Sequence, residues 1–155
     1  WDKLAKIKQE WGGTVLLKGI LDADDAKMAM QVGADAIIVS NHGGRQLDGA
    51  LSSIRALPSI LDAVGDQTEV HLDSGIRSGQ DVLKAIAMGA KGTYIGRAFV
   101  YGLGAMGQAG VTKALEVIHK EMDITMALCG RRRIDELGRD ILLVPEDFEG
   151  RWQAS

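Results

Sequence analysis

The chain has 155 residues, 46% of them hydrophobic and 25% charged, a usage that fits one soluble globular domain and excludes extended disorder. Its 18 basic and 21 acidic side chains leave a net charge of -3, so no broad positive field is offered to nucleic acid or to an anionic membrane surface. The single cysteine, Cys129, excludes an internal disulfide, and no cysteine and histidine cluster has zinc-ligand spacing, so no metal is expected. A reducing, cytoplasmic compartment is the default. No apolar run approaches the roughly 18 residues of a membrane helix, and the opening Trp1-Asp2-Lys3-Leu4 lacks signal-peptide form. The absence of an initiator methionine suggests that residue 1 lies inside a longer protein.

The first predicted strand is Thr14 to Gly19, followed by a helix over Asp22 to Gln31 with Asp22 as its cap and Ala26, Ala29 and Met30 on its apolar face. The pattern returns as a strand over Ala36 to Ser40 and, after a polar glycine-rich stretch, a helix over Leu51 to Val64 with Ile54, Leu57, Leu61 and Val64 in register. A third strand, Glu69 to Asp73, precedes a helix from about Gly79 to Met88. A fourth, Thr93 to Gly96, precedes a helix from roughly Gly107 to Asp123. From about 124 an added helix and an irregular tail are expected. No linker marks a second domain, so residues 1–155 are read as one unit.

The repetition is visible in the letters. Gly33-Ala34-Asp35-Ala36-Ile37-Ile38 and Gly89-Ala90-Lys91-Gly92-Thr93-Tyr94 stand two units apart, each with a glycine ending a helix before the next strand. Alternating strands and helices imply an α/β fold with parallel strands and right-handed crossovers. A complete (β/α)8 TIM barrel takes about 250 residues, so four βα units amount to half of one.

Ligands in such folds meet the carboxyl ends of the strands, and all four strand ends carry unusual residues. Lys18 closes the first apolar run, either reaching solvent or standing as a fixed cation beside an anionic ligand. The second strand runs into Ser40-Asn41-His42-Gly43-Gly44-Arg45-Gln46, which offers a titratable base, a backbone that allows close approach, and a guanidinium able to clamp a carboxylate. The third ends in Asp73-Ser74-Gly75-Ile76-Arg77-Ser78-Gly79, read as an anion site at a helix start with Arg77 as its cation. The fourth repeats the idea in Gly96-Arg97. Loops after neighbouring strands of this kind form the phosphate site of many barrel enzymes, and a phosphorylated cofactor is the natural occupant.

The run Ser40 to Gln46 resembles the signature of the FMN-dependent 2-hydroxy acid dehydrogenases and oxidases, which include enzymes acting on lactate, glycolate and mandelate. The resemblance runs from about Trp1 to about Leu142, through the lysine-ended strand and both glycine-arginine loops in family order and spacing. It implies the C-terminal half of a TIM barrel that oxidises a 2-hydroxy acid to the 2-oxo acid with FMN as cofactor. By that resemblance His42 is the catalytic base and Arg45 pairs with the substrate carboxylate. Lys18 lies near the flavin N1 and O2 edge and Ser40 also contacts the cofactor. Asp73, Ser74, Gly75, Ile76 and Arg77, with Gly96 and Arg97, bind the ribityl phosphate.

The stretches Gln46-Leu47-Asp48-Gly49 and Arg55-Ala56-Leu57-Pro58 are closest in style to the L-lactate dehydrogenase branch, which makes L-lactate the expected substrate. The family's first half barrel, which supplies two tyrosines, a further arginine, an aspartate partner for the histidine and polar contacts to the flavin, falls outside the match. The chain alone is therefore expected to be inactive, and its partner to be that missing half or a second copy. Two other readings stay open: an isolated inactive half barrel, and another FMN barrel such as an isomerase, which would have no need of His42 and Arg45 together. Homo-oligomers are common in the family, and some bacterial members attach peripherally to the inner membrane.

The other unusual residues have plain readings. His71 points either into the barrel or into the helix layer, His119 lies on a helix surface, and Arg131 to Arg133 form a solvated face. The six methionines fit helix cores.

Overall fold

Four apolar runs form four parallel strands: β1 (Leu16–Ile20), β2 (Ala36–Val39), β3 (Glu69–Leu72) and β4 (Gly92–Thr93). They pair in sequence order, β1 to β2 to β3 to β4, every pair parallel. The computed structural model describes residues 1–145 and 148. Helices α2 (Ala23–Gln31), α3 (Ser53–Val64) and α4 (Gly79–Met88) make the crossovers, and α5 (Arg97–Leu128) follows β4. This is the arrangement of four consecutive units of a (β/α)8 barrel, with β1 and β4 as outer strands.

Side chains alternate across the sheet. Leu17, Ile37 and Val70 share one register level on the helix side, where Ile37 and Val70 are buried together with Val39, Leu57, Ile60, Val64 and Leu72. Lys18, Ile38 and His71 share the next level on the opposite face. There His71 meets the Tyr94 hydroxyl through Nδ1 at 2.8 Å and the Glu69 carboxylate through Nε2 at 3.1 Å, so of its two expected orientations it takes the barrel side.

The internal repeat has a structural cause. Gly33 and Gly89 end α2 and α4 with φ of 84° and 120°, and in each case the following alanine N–H bonds back to an alanine carbonyl five residues earlier, Ala34 to Ala29 and Ala90 to Ala85, both at 3.0 Å. A positive φ with such a back-bonded turn is the usual role of glycine after a helix.

Several elements depart from expectation. Residues before Thr14, to which no element is assigned from sequence, form α1 (Asp2–Trp11), stopped by Gly12 at φ 65°. α1 buries none of its residues, although Leu4, Ile7 and Trp11 recur on one face at helical spacing. The last helix does not start at about Gly107 and stop at Asp123, nor does a separate helix begin near 124. Helical structure runs from Arg97 to Leu128 with a sharp bend at Met106 and Gly107, and beyond it lie only two single turns, Ile134–Glu136 and Arg139–Ile141. The rest of the expected tail, 146, 147 and 149–155, lies outside the described residues.

The bend folds α5 against itself. A Cβ on Gly102 would run into the carbonyl of Gly110, and a Cβ on Gly110 into the carbonyl of Gly102, so two bare backbones cross there. Met88 and Met126 are core residues as expected, but Met106, at the bend, is 64% exposed. His119 is exposed, and Arg131 and Arg133 pair with Asp140 and Asp135.

Candidate active site

At the carboxyl ends of the strands lies a cavity of about 250 Å³ lined by every residue to which the resemblance gives a role except Ser40. Ser40 is 1% exposed and sits beneath it, at the end of β2, where it ties the loops together. The Lys18 ammonium donates to Ser40 Oγ at 2.9 Å and pairs with the Asp73 carboxylate at 2.9 Å. The His42 N–H donates to Ser40 Oγ at 3.1 Å, and the Ser74 hydroxyl donates to Asp73 at 2.8 Å while accepting the Gly43 N–H at 3.0 Å. Three strand ends are thus cross-linked by a few short polar contacts that replace water around groups the fold has half buried.

Two non-glycine residues here take left-handed backbone, His42 at φ 54° and Ser74 at φ 67°. Such conformations cost on the order of 1 kcal/mol or more and persist where surrounding contacts fix them, as they do at these two positions. The His42 loop is further pinned by Asn41, whose side chain accepts the Gly43 N–H at 3.0 Å and donates to the Leu51 carbonyl at 3.3 Å.

Burial works to raise the Asp73 carboxyl, but hydrogen bonds from Ser40, Lys18 and Ser74 and the charge of Lys18 outweigh it and hold the pKa below the ordinary aspartate value. A lowered folded-state pKa adds stability above the unfolded value of about 3.9, and that stability is lost as the pH falls through the folded value. Urea midpoints measured from pH 6 down to pH 3 should therefore show Asp73→Asn less stable than the parent at the upper end, with the gap closing below about pH 4. A gap that stays constant with pH would contradict this reading.

The cavity is cationic. Arg45, Arg77 and Arg97 all line it, are exposed, and have no acidic partner among the described residues. The two helix starts beside them differ in how their N–H groups are occupied. Several N–H groups at the start of α4 are taken: Ser78 and Asp81 form a reciprocal cap, Asp81 also accepts the Arg77 N–H at 3.0 Å, and Glu121 accepts the Gly79 N–H at 2.9 Å. No side chain caps α5 at Gly96, so its first N–H groups are the ones left for an anion. Added Cβ atoms at Gly75 and Gly96 would meet nothing within 4 Å, so both loops border open space. Ile76 is 5% exposed and packs into the core, so only its backbone reaches the cavity.

Two residues were missed from sequence. Tyr94 lines the cavity and is held by His71; the signal was an aromatic residue at the end of the fourth strand. Gly19 lies against the His42 ring, and nothing in the linear sequence reveals that approach. A second cavity of about 520 Å³ lies behind the glycine loops among Ile54, Met88, Leu142 and Phe148; it is mainly apolar and holds none of Lys18, His42 or Arg45.

A cationic cavity at the strand ends of a βα sheet, with a histidine on a fixed loop, is the arrangement of a phosphate-using barrel enzyme. The family model for FMN-dependent dehydrogenases matches residues 1–144, and the chain belongs to that family. Among similar proteins, the L-lactate dehydrogenase of Caulobacter sp. (strain K31) is 55% identical over 142 residues, and that of Azorhizobium caulinodans is 57% identical over 143. Each match covers 92% of this chain, so the chain spans 37% and 38% of the length of those two relatives.

Among solved structures, the membrane-associated (S)-mandelate dehydrogenase of Pseudomonas putida, as a soluble mutant, superposes with a TM-score of 0.88 at 40% identity, covering 92% of this chain and 40% of that one. A mandelate oxidase variant with the monooxide FMN adduct gives 0.85 at 44% identity, covering 90% and 44%. The four-stranded sheet is thus part of a TIM barrel, and the family's cofactor is FMN. The uncapped α5 start, three arginines with no acidic partner among the described residues and two open glycine loops fit a phosphate dianion such as FMN carries.

Proposed function

We propose that these residues form the base, the carboxylate clamp and the phosphate end of the cofactor site in an enzyme that oxidises L-lactate to the 2-oxo acid. The observation that carries the proposal is one cavity that gathers His42, Lys18 and three arginines, with no acidic partner to the arginines among the described residues, beside an uncapped helix start. A small anionic substrate needs the arginines, and a hydroxy acid needs a base.

Bound FMN supplies acceptance of the two electrons that leave the hydroxy acid. Arg45 pairs with the substrate carboxylate and fixes its orientation. His42 accepts the substrate proton on a ring nitrogen, within a loop whose backbone is clamped by Ser40, Asn41 and Ser74. Lys18, steadied by Asp73 and Ser40, keeps a fixed positive charge at the strand end where negative charge is to be stabilised. The first N–H groups of α5, the backbone of Gly75 and Ile76, and the side chains of Arg77 and Arg97 hold the phosphate. Asp73 acts through Lys18 and Ser74, since its carboxylate is committed to them and would repel a phosphate.

The remaining part of the barrel belongs to the same proposal. Ile7, Trp11 and Leu16 toward the β1 end and Tyr94, Tyr101 and Leu103 toward the β4 end are exposed, which supports a partner that closes the barrel, either the missing half or a second copy. The 155-residue chain on its own holds one side of the site and should not turn over, and the complete protein is read as a homo-oligomer. Among the described residues no helix is long and apolar enough to cross a membrane. We place the protein in the cytoplasm with peripheral attachment at the inner membrane as the alternative, since one similar (S)-mandelate dehydrogenase is a monotopic membrane protein.

The test is a chimera in which this chain replaces the matching 142 residues of the Caulobacter L-lactate dehydrogenase. Anaerobic L-lactate should bleach its flavin faster than glycolate or mandelate does. Bleaching by mandelate alone would reassign the substrate, and none by any 2-hydroxy acid would sink the reading.

A further inference from the structure

We infer that Gly19 is a positioning residue for His42, its bare Cα forming the seat on which the imidazole rests. A Cβ built on Gly19 would lie 2.9 Å from His42 Cε1 and 3.8 Å from each ring nitrogen. Equal distances to Nδ1 and Nε2 mean that the ring meets Gly19 edge-on, Cε1 foremost, with the two nitrogens flanking the contact and clear of it. Any L side chain at position 19 would push the ring away from the end of β1.

The sheet explains why glycine stands there. The β1 to β2 register runs Lys18 to Ile38 and then Ile20 to Val39, so Gly19 is the extra residue of a bulge, and its φ is 102°. Without the bulge, Lys18 and Ile20 would face the same way. With it, Lys18 turns to the cavity while Ile20, 7% exposed, turns to the core. One residue in the left-handed region therefore aims the lysine, buries the isoleucine and leaves the gap that the histidine fills.

The backbone of His42 cannot adjust for a lost seat, because it is itself at φ 54° and held through Ser40, and the next N–H is held by Asn41 and Ser74. Only the side-chain torsions can respond, and they would swing the ring nitrogens. The consequence for turnover rests on His42 being the base as proposed above, but the seat does not.

The chain has three histidines, so labelling them at Cε1 gives three NMR signals, with that of His42 assigned by its loss in His42→Asn. In the unsubstituted 155-residue chain a cross-relaxation peak should join His42 Hε1 to the Gly19 α protons. Gly19→Ala should shift the His42 signal and leave those of His71 and His119 in place. Gly33→Ala is the matched control: its φ is 84°, and its Cβ would meet only the Lys8 side chain, at 3.6 Å. It imposes comparable backbone strain away from the site and should leave the His42 signal unmoved.

A missing cross-peak, an unmoved His42 signal in folded Gly19→Ala, or an equal shift in Gly33→Ala would overturn the inference. Should Gly19→Ala fail to fold, the cross-peak in the parent chain decides. In the flavin-loaded chimera Gly19→Ala should slow lactate-driven reduction by about 10²-fold with little change in KM, the size expected for a misplaced reacting group. If the seat is present and the chimera ignores lactate, the functional reading fails while the positioning stands.

Discussion

His42→Ala, placed in the lactate-oxidising chimera, should slow anaerobic bleaching of the flavin by about 10²- to 10⁴-fold, the usual contribution of a positioned general base. Flavin affinity should be unchanged, because the phosphate contacts lie on other loops, at Gly75 to Arg77 and at the start of α5. The substitution leaves the left-handed strain in place, since alanine at φ 54° is no more favourable than histidine. A variant that keeps the parent rate would remove His42 from the reaction. One that loses flavin and rate together would make it structural. Neither outcome follows from the geometry, in which the imidazole borders the cavity and makes no side-chain hydrogen bond among the described residues.

The second large effect is on stability. Gly110→Ala puts a methyl group into the carbonyl of Gly102 at the point where the two arms of α5 cross, and neither partner is a side chain that could rotate away. Overpacking of this kind costs about 3 kcal/mol at the upper end of its usual range, and the better helix propensity of alanine offsets about 1 kcal/mol. A net loss of about 2 kcal/mol should lower the melting temperature by roughly 4–8 °C in a chain of this size. FMN affinity should weaken as well, because the arm that moves is the one whose N-terminus opens on the cavity. Gly104→Ala, whose Cβ would meet nothing within 4 Å, should leave both quantities near the parent values. An equally stable Gly110→Ala would mean that the crossing is looser than described.

The same glycines mark where sequence reading reaches its limit. Gly102, Gly104 and Gly107 make the stretch after β4 look like a loop, yet Gly102 is there because a helix must pass within contact of another backbone, and only Gly107 bends the chain. A glycine needed for close approach and a glycine needed for a turn read alike in one dimension. α1 is legible, since Leu4, Ile7 and Trp11 recur at helical spacing, yet no element is assigned there from sequence. By contrast β2 is read as an uninterrupted apolar run, and α4 is placed at its observed bounds, Gly79 to Met88.

Within the site, the strand-end rule singles out Lys18, His42, Arg45 and Arg97, and the structure lines one cavity with them. The rule did not reveal that Asp81 takes the Arg77 and Ser78 N–H groups and Glu121 the Gly79 N–H, Glu121 arriving from 42 residues away. The rule also missed Gly19, whose importance is a distance to another strand's loop and has no trace in its neighbours. His71 was ambiguous because alternation along a four-residue strand tells one face from the other only when the neighbours are known to be buried, as Val70 and Leu72 prove to be.

The most direct measurement is a titration of the 155-residue chain with FMN and, separately, with riboflavin, followed by flavin fluorescence and the visible spectrum. The two ligands share the ring and ribityl chain and differ in the phosphate. A site built on three arginines and an uncapped helix start should bind FMN with a shifted spectrum and bind riboflavin far more weakly. Equal affinity for the two, or binding of neither, would contradict the assignment of this cavity to the cofactor phosphate.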